Sequence, residues 1–222
     1  WMAATESRSN FDSDVWLMNL ETGIGRNVTH HSGEELSSPV AFTPDGSKLI
    51  INTNRGSEHS RLQAFDLKRD EFVVIADHNC EVEATVVSPD QRRLSYAVNR
   101  DGYQELHVRD TVSGKEISLP KMPHGLIVPG GFSADGSKLA ISVTLPERTG
   151  DVYLLDLKTG KLQQMSYSSN AGLNPEKFVS PKLIHYATFD GRKIPAFLYL
   201  PEGAPSDHSL PTILSVHGGP ES

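Results

Sequence analysis

Apolar and polar residues alternate along most of the first 166 positions in short bursts of about four to eight, with turn residues between them. Lys48-Leu-Ile-Ile-Asn-Thr53 follows Pro44-Asp45-Gly46, and the run from Leu62 to Leu67 follows a polar loop. No stretch sustains a 3.6-residue apolar period, so the pattern predicts strands rather than long helices. In the clearest stretch the strands are expected at 39–43, 48–53, 62–67 and 71–76.

The pattern repeats. A turn followed by a strand occurs as AFTPDGSKLIINTNR, TVVSPDQRRLSYAVNR and GFSADGSKLAISVT, with the turn aspartates Asp45, Asp90 and Asp135 each 45 residues apart. A second signature, an alternating strand ending near a polar residue, occurs as DVWLMNLETG, RLQAFDLKRD, ELHVRDTVSG and DVYLLDLKTG. Its polar positions Asn19, Asp66, Asp110 and Asp156 are 47, 44 and 46 apart. Four short antiparallel strands recurring every ~40–50 residues predict the blades of a β-propeller. The chain should hold a partial propeller over residues 1–166: part of one blade at 1–30, then three complete four-stranded blades. It opens inside a blade, so upstream blades are expected.

After residue 166 the period stops. Residues 167–181 are rich in Ser, Asn, Gly and Pro and read as a linker. KLIHYATFDGRKIPAFLYLP then predicts a hairpin turning at Asp190-Gly191. PTILSVHGGP predicts a continuous apolar strand of the kind buried on both faces, delivering a glycine pair to its C-terminal end.

Composition narrows the function classes. Hydrophobic residues make up 37% and charged residues 22%, an ordinary globular balance. The net charge of −7 argues against a nucleic-acid surface. No apolar run approaches the ~18 residues of a membrane span. Cys80 is the one cysteine, which excludes an internal disulfide framework and points to a reducing, cytoplasmic compartment.

The SPDG-type turn with the DVWL-type strand resembles the propeller repeat shared by TolB-type proteins and the prolyl oligopeptidase family, over residues 1–166. The order propeller, linker, hairpin and then PTILSVHGGP is similar to the junction in that family between the propeller and the α/β-hydrolase domain, whose first strands would fill 182–222. The tetrad His217-Gly218-Gly219-Pro220 most resembles the acylaminoacyl-peptidase-like branch. The resemblance implies a serine peptidase acting on short peptides through an acyl-enzyme, with the propeller limiting access. It implies an oxyanion-binding N–H at Gly219, in a loop shaped by His217, Gly218 and Pro220. Glycine suits that role because no side chain blocks the approach of the carbonyl.

The nucleophile of this family sits in G-x-S-x-G, and no serine of this chain has glycine at both −2 and +2. Nucleophile, Asp and His are expected beyond Ser222, and the chain alone is expected to be inactive. No cofactor or metal is implied; a homo-oligomer is left open. Two other readings stay open: a non-catalytic TolB-like binding module, and an esterase of the same hydrolase fold, which Pro220 and the propeller disfavour.

Other features read as structural. The nine histidines, including His30-His31, lack metal-ligand spacing and read as turn or surface residues. Glu34-Glu35 invites comparison with the glutamate pair that holds a substrate amino terminus in dipeptidyl-peptidase relatives, but reads as a solvated loop. Asn54-Arg55 and Asn99-Arg100 read as repeated turns. Asp66, Asp110 and Asp156 are expected to tie neighbouring strands, and Cys80 to be a bystander. Asn27-Val28-Thr29 is a formal glycosylation sequon.

Overall fold

The computed structural model describes residues 1–205 and 210–216. The chain divides into two compact units, Trp1–Leu145 with Thr149–Ser169, and Pro146–Arg148 with Asn170–Ser222. No helix among the described residues is long and apolar enough to cross a membrane.

The first unit is a series of antiparallel sheets in which each strand pairs with the next in sequence. β1 (Met2–Ser9), β2 (Asp12–Met18) and β3 (Gly25–Asn27) form the first. β4 (Ser37–Phe42), β5 (Lys48–Thr53), β6 (Arg61–Asp66) and β7 (Glu71–Ala76) form the second, each within two residues of its expected position. β8 (Val82–Val87), β9 (Arg93–Arg100) and β10 (Tyr103–Asp110) form the third. β11 (Leu126–Phe132), β12 (Lys138–Leu145), β13 (Arg148–Asp156) and β14 (Leu162–Gln164) form the fourth. These sheets are the blades that the 45-residue period predicts.

The third blade departs from the four-strand pattern. Its fourth position narrows to a single bridge between Arg109 and Glu116, beside an Ile117 N–H to Val108 carbonyl bond of 2.8 Å. Pro120 and Pro123 follow, and a residue without an N–H cannot extend the ladder.

The blades pack face to face, which explains why their second strands are apolar on both sides. Leu49, Ile51 and Phe65 pack against Val15 and Leu17 of the blade before. Ile50 and Leu62 face the other way, onto Leu94, Tyr96 and Val98 of the blade after. Leu106 and Val108 then meet Ile127, Leu139, Ile141 and Val143. Each seam is thus a small core, and fully burying one such Leu or Ile contributes roughly 1.5–3 kcal/mol. The first strands of the second, third and fourth blades are bulged, at Pro39–Ala41 in β4, Glu83–Val86 in β8 and Pro129–Gly131 in β11.

In the second unit β15 (Lys182–Ala187) and β16 (Lys193–Leu198) form an antiparallel hairpin. A short 3-10 turn, Pro175–Lys177, is capped by Asn174, whose side chain accepts the Glu176 N–H. Residues 211–216, expected as a buried strand, form no ladder among the described residues, and Ile213 is 95% exposed. A strand of a covered sheet is held by hydrogen bonds to its neighbours, and no described strand pairs with this segment.

Candidate functional site

The residues expected to form the oxyanion loop, His217, Gly218, Gly219 and Pro220, lie outside the described residues. The described chain brings together a different polar cluster, at the blade ends where second strands turn into third strands and fourth strands lead to the next blade.

The turn aspartates fix the opposite end. Asp45, Asp90 and Asp135 each accept a hydroxyl, from Thr43, Ser88 and Ser133, and the backbone N–H two residues on. These bonds hold the Asp45 carboxyl down at about 2 and also lower that of Asp135. Asp190 makes the same turn in the second unit, with Thr188 and the Arg192 N–H. Asn19, Asp66, Asp110 and Asp156 do not tie neighbouring strands as expected. Each accepts N–H groups two and three residues later, closing the turn from third to fourth strand.

At the other end Asp14, fully buried near the start of β2, collects four groups. Oδ2 accepts from Asn27 Nδ2 and Arg8 Nη2, both at 2.6 Å. Oδ1 accepts from Thr29 Oγ1 at 2.8 Å and faces His31 Nδ1 at 3.1 Å. Thr29 Oγ1 in turn accepts the Val15 N–H at 2.8 Å. Burial alone would push the Asp14 carboxyl up, but the Asn27 and Thr29 hydrogen bonds and the Arg8 charge outweigh it and hold it low.

His31 is a correction to the sequence reading. Its side chain is only 7% exposed, with Nε2 3.1 Å from Asp12 and Nδ1 3.0 Å from the Thr29 carbonyl. Burial would lower its proton affinity. The Thr29 carbonyl and the Glu35 and Asp14 carboxylates outweigh that and raise it. The connection needs a group that can face several acceptors at once, and an imidazolium does so with two donors.

Glu35 is likewise not a solvated side chain. It stands 3.9 Å from His31 and 3.7 Å from Arg55, and its buried Oε1 has no hydrogen bond. Arg55 also covers the Phe72 ring at 4.9 Å. Its backbone bond explains why the loop comes in: the Ser13 N–H donates to the Glu35 carbonyl at 2.9 Å. Asn54 and Arg55 stand in a turn after β5, as expected, whereas Asn99 and Arg100 are the last residues of β9. The Asn54 and Asn99 N–H groups donate to the Leu36 and Glu81 carbonyls, each at 3.1 Å, in the connection from the blade before.

One regularity escaped the sequence reading. His31, His78 and His124 lie 47 and 46 residues apart, the blade period, and each stands in a connection between blades. Their partners differ: carboxylates for His31, Tyr96 and His107 for His78, and the Tyr103 ring, 3.7 Å away, for His124. The spacing was readable; the partners were not, because they come from different strands.

No protein-family model matches the chain. It is 22% identical over 197 residues to a probable dipeptidyl-peptidase 5 of Aspergillus flavus, covering 85% of this chain and 27% of that protein. Among solved structures, a puromycin-hydrolyzing peptidase of Mycobacterium tuberculosis superposes with a TM-score of 0.74 at 17% identity, covering 94% of this chain and 34% of that one. A structure from a study of two prolyl endopeptidases gives 0.73 at 18%, covering 90% and 29%. The chain thus spans about a third or less of the proteins it matches. The blades and these superpositions agree on the fold: the chain is similar to the bladed part of these solved peptidases, and in sequence to a probable dipeptidyl-peptidase 5.

Proposed function

We propose that this chain is the propeller end of a serine peptidase that cleaves short peptides through an acyl-enzyme. Residues 1–166 form blades that restrict access, 167–181 link, and 182–222 begin the α/β-hydrolase domain. The observation that carries this reading is the run of bladed sheets followed by the β15–β16 hairpin and PTILSVHGGP, in a chain similar to a dipeptidyl-peptidase.

The Gly219 N–H is the proposed donor to the tetrahedral oxyanion, in the loop shaped by His217, Gly218 and Pro220. The nucleophile and its partners are supplied by residues outside this sequence, so this chain alone turns over nothing. The similarity to dipeptidyl-peptidase 5 favours release of short N-terminal units, with acylaminoacyl substrates as the other class to assay. A reducing compartment fits the single cysteine.

In the full-length parent, Gly219→Pro, which deletes the N–H, should lower kcat by ~10²–10³ on dipeptidyl or acylaminoacyl p-nitroanilides. Gly219→Ala, which keeps the N–H, should lose much less. Equal activity in wild type and Gly219→Pro would overturn the oxyanion role, and a parent inactive on both substrate classes would overturn the peptidase reading.

A further inference from the structure

The connection from β7 to β8 carries a half-buried imidazole, His78, that the proposed chemistry does not use. It reaches across to the β8–β10 blade, where its Nε2 lies 3.2 Å from the Tyr96 hydroxyl. The same hydroxyl lies 2.9 Å from Arg109 Nε. A guanidinium can only donate, so Arg109 occupies an acceptor site of the phenol oxygen. That leaves the hydroxyl's own hydrogen to donate to His78 Nε2, the other hydrogen-bond partner the Tyr96 hydroxyl has among the described residues. The chain runs Arg109 to Tyr96 to His78, and it requires a neutral His78 with its proton on Nδ1.

The surroundings enforce the same state. The His107 ring stacks on Tyr96 with centroids 5.2 Å apart and lies tilted against His78 at 4.5 Å. Its Nδ1 donates to Glu116 at 2.6 Å, and its buried Nε2 has no hydrogen bond, Glu105 standing 3.9 Å off. Arg100, at the end of β9, adds a further positive charge. On its own connection His78 adjoins Asp77, which is paired with Arg61 at 3.0 Å. Burial, then the His107 and Arg109 charges, lower the proton affinity of His78, and Glu116 offsets this only in part. Burial pushes the Tyr96 phenol up, so the hydroxyl keeps its hydrogen.

We propose that the Arg109–Tyr96–His78 chain is an acid-released clasp across the seam between the second and third blades. Protonation turns His78 Nε2 from acceptor to donor. Two donors then face one phenol oxygen, the hydroxyl hydrogen loses its acceptor, and a cation stands against His107 and Arg109. The imidazole leaves, and with it one of the ties that hold residues 77–81 against the neighbouring blades. A group whose proton affinity falls on folding stabilises fully above its unfolded value of 6.5. That contribution is lost as pH falls from there towards the folded value.

Amide hydrogen exchange on the intact chain tests this, with protection factors corrected for intrinsic rates between pH 7.5 and 5. Protection of 77–82 should fall by up to about tenfold per pH unit below 6.5, ahead of the other two seams. In His78→Gln, which stays neutral and keeps an acceptor for Tyr96, that fall should vanish. Tyr96→Phe should leave 77–82 weakly protected at both ends of the range. The NMR titration of His78 in the wild type should have its midpoint below 6.5. A midpoint at or above 6.5, or an unchanged pH dependence in His78→Gln, would overturn the clasp.

Discussion

The Thr29 hydroxyl donates to the buried Asp14 carboxylate at 2.8 Å, and the Ser166 hydroxyl stands in the same relation to Asp151, also at 2.8 Å. In both blades the hydroxyl accepts the N–H of the residue after the aspartate, Val15 or Val152, and an amide two residues before the hydroxyl, Asn27 or Gln164, donates to the other carboxylate oxygen. One clasp, used twice, fastens the fourth strand of a blade to its third.

Thr29→Val keeps the shape and removes the clasp. It strips a donor from Asp14 and leaves the Val15 N–H without its partner, both fully buried. The loss should be about 1–3 kcal/mol, read as a lower urea midpoint with an unchanged m-value. A midpoint equal to wild type would mean that Arg8, Asn27 and His31 hold the strand without it.

His31 predicts a pH dependence of opposite sign to His78. An imidazole that binds its proton more tightly in the fold stabilises fully below its unfolded value of 6.5. That stability is lost as pH rises through the higher folded value. Wild type should therefore lose stability relative to His31→Gln between pH 6 and 8, measured by urea unfolding at each pH. Parallel curves for the two proteins would show that the His31 charge contributes nothing.

Gly46 and Gly136 share a φ of +67° at equivalent turns, but only Gly136 has a neighbour in the way. A Cβ there would lie 2.8 Å from Arg93 Nη1, which donates to the Gly136 carbonyl at 2.5 Å. Gly46→Ala should cost the left-handed backbone term alone, about 1–2 kcal/mol. Gly136→Ala should cost more, because it also displaces the guanidinium that joins the third blade to the fourth. Equal thermal shifts for the two variants would deny the Arg93 contact any weight.

Strands and turns were legible because they answer to local chemistry: alternation sets the strand faces, and each Asp with its following N–H groups closes its own turn. The β4–β7 blade came out nearly residue for residue. The fourth strand of the third blade did not, since Pro120 and Pro123 limit it from beyond its end. The polar cluster was less legible still. His31 and Glu35 look like loop residues in HHSGEEL, and they are largely covered because Asp12 and Asp14 arrive from β2 and Arg55 from the turn after β5, up to 20 residues away in sequence. The expected oxyanion loop was read from a motif alone and falls outside the described residues.

Equivalent positions in the third strands of the blades carry Asp14, Arg61, Glu105 and Asp151, and the polarity is not uniform. Asp14 and Asp151 take amides and hydroxyls, whereas Arg61 takes Asp77 at 3.0 Å, a charge-reversed version of the same fastening. A chain of near-identical repeats risks pairing the third strand of one with the fourth strand of another while it folds. Set opposite Asp77, Asp14 would meet a like charge. The reversal sets the outer strand of the second blade apart from those of the first and fourth, and a sequence regularised to one consensus blade would lose that distinction and gain swapped, misassembled forms.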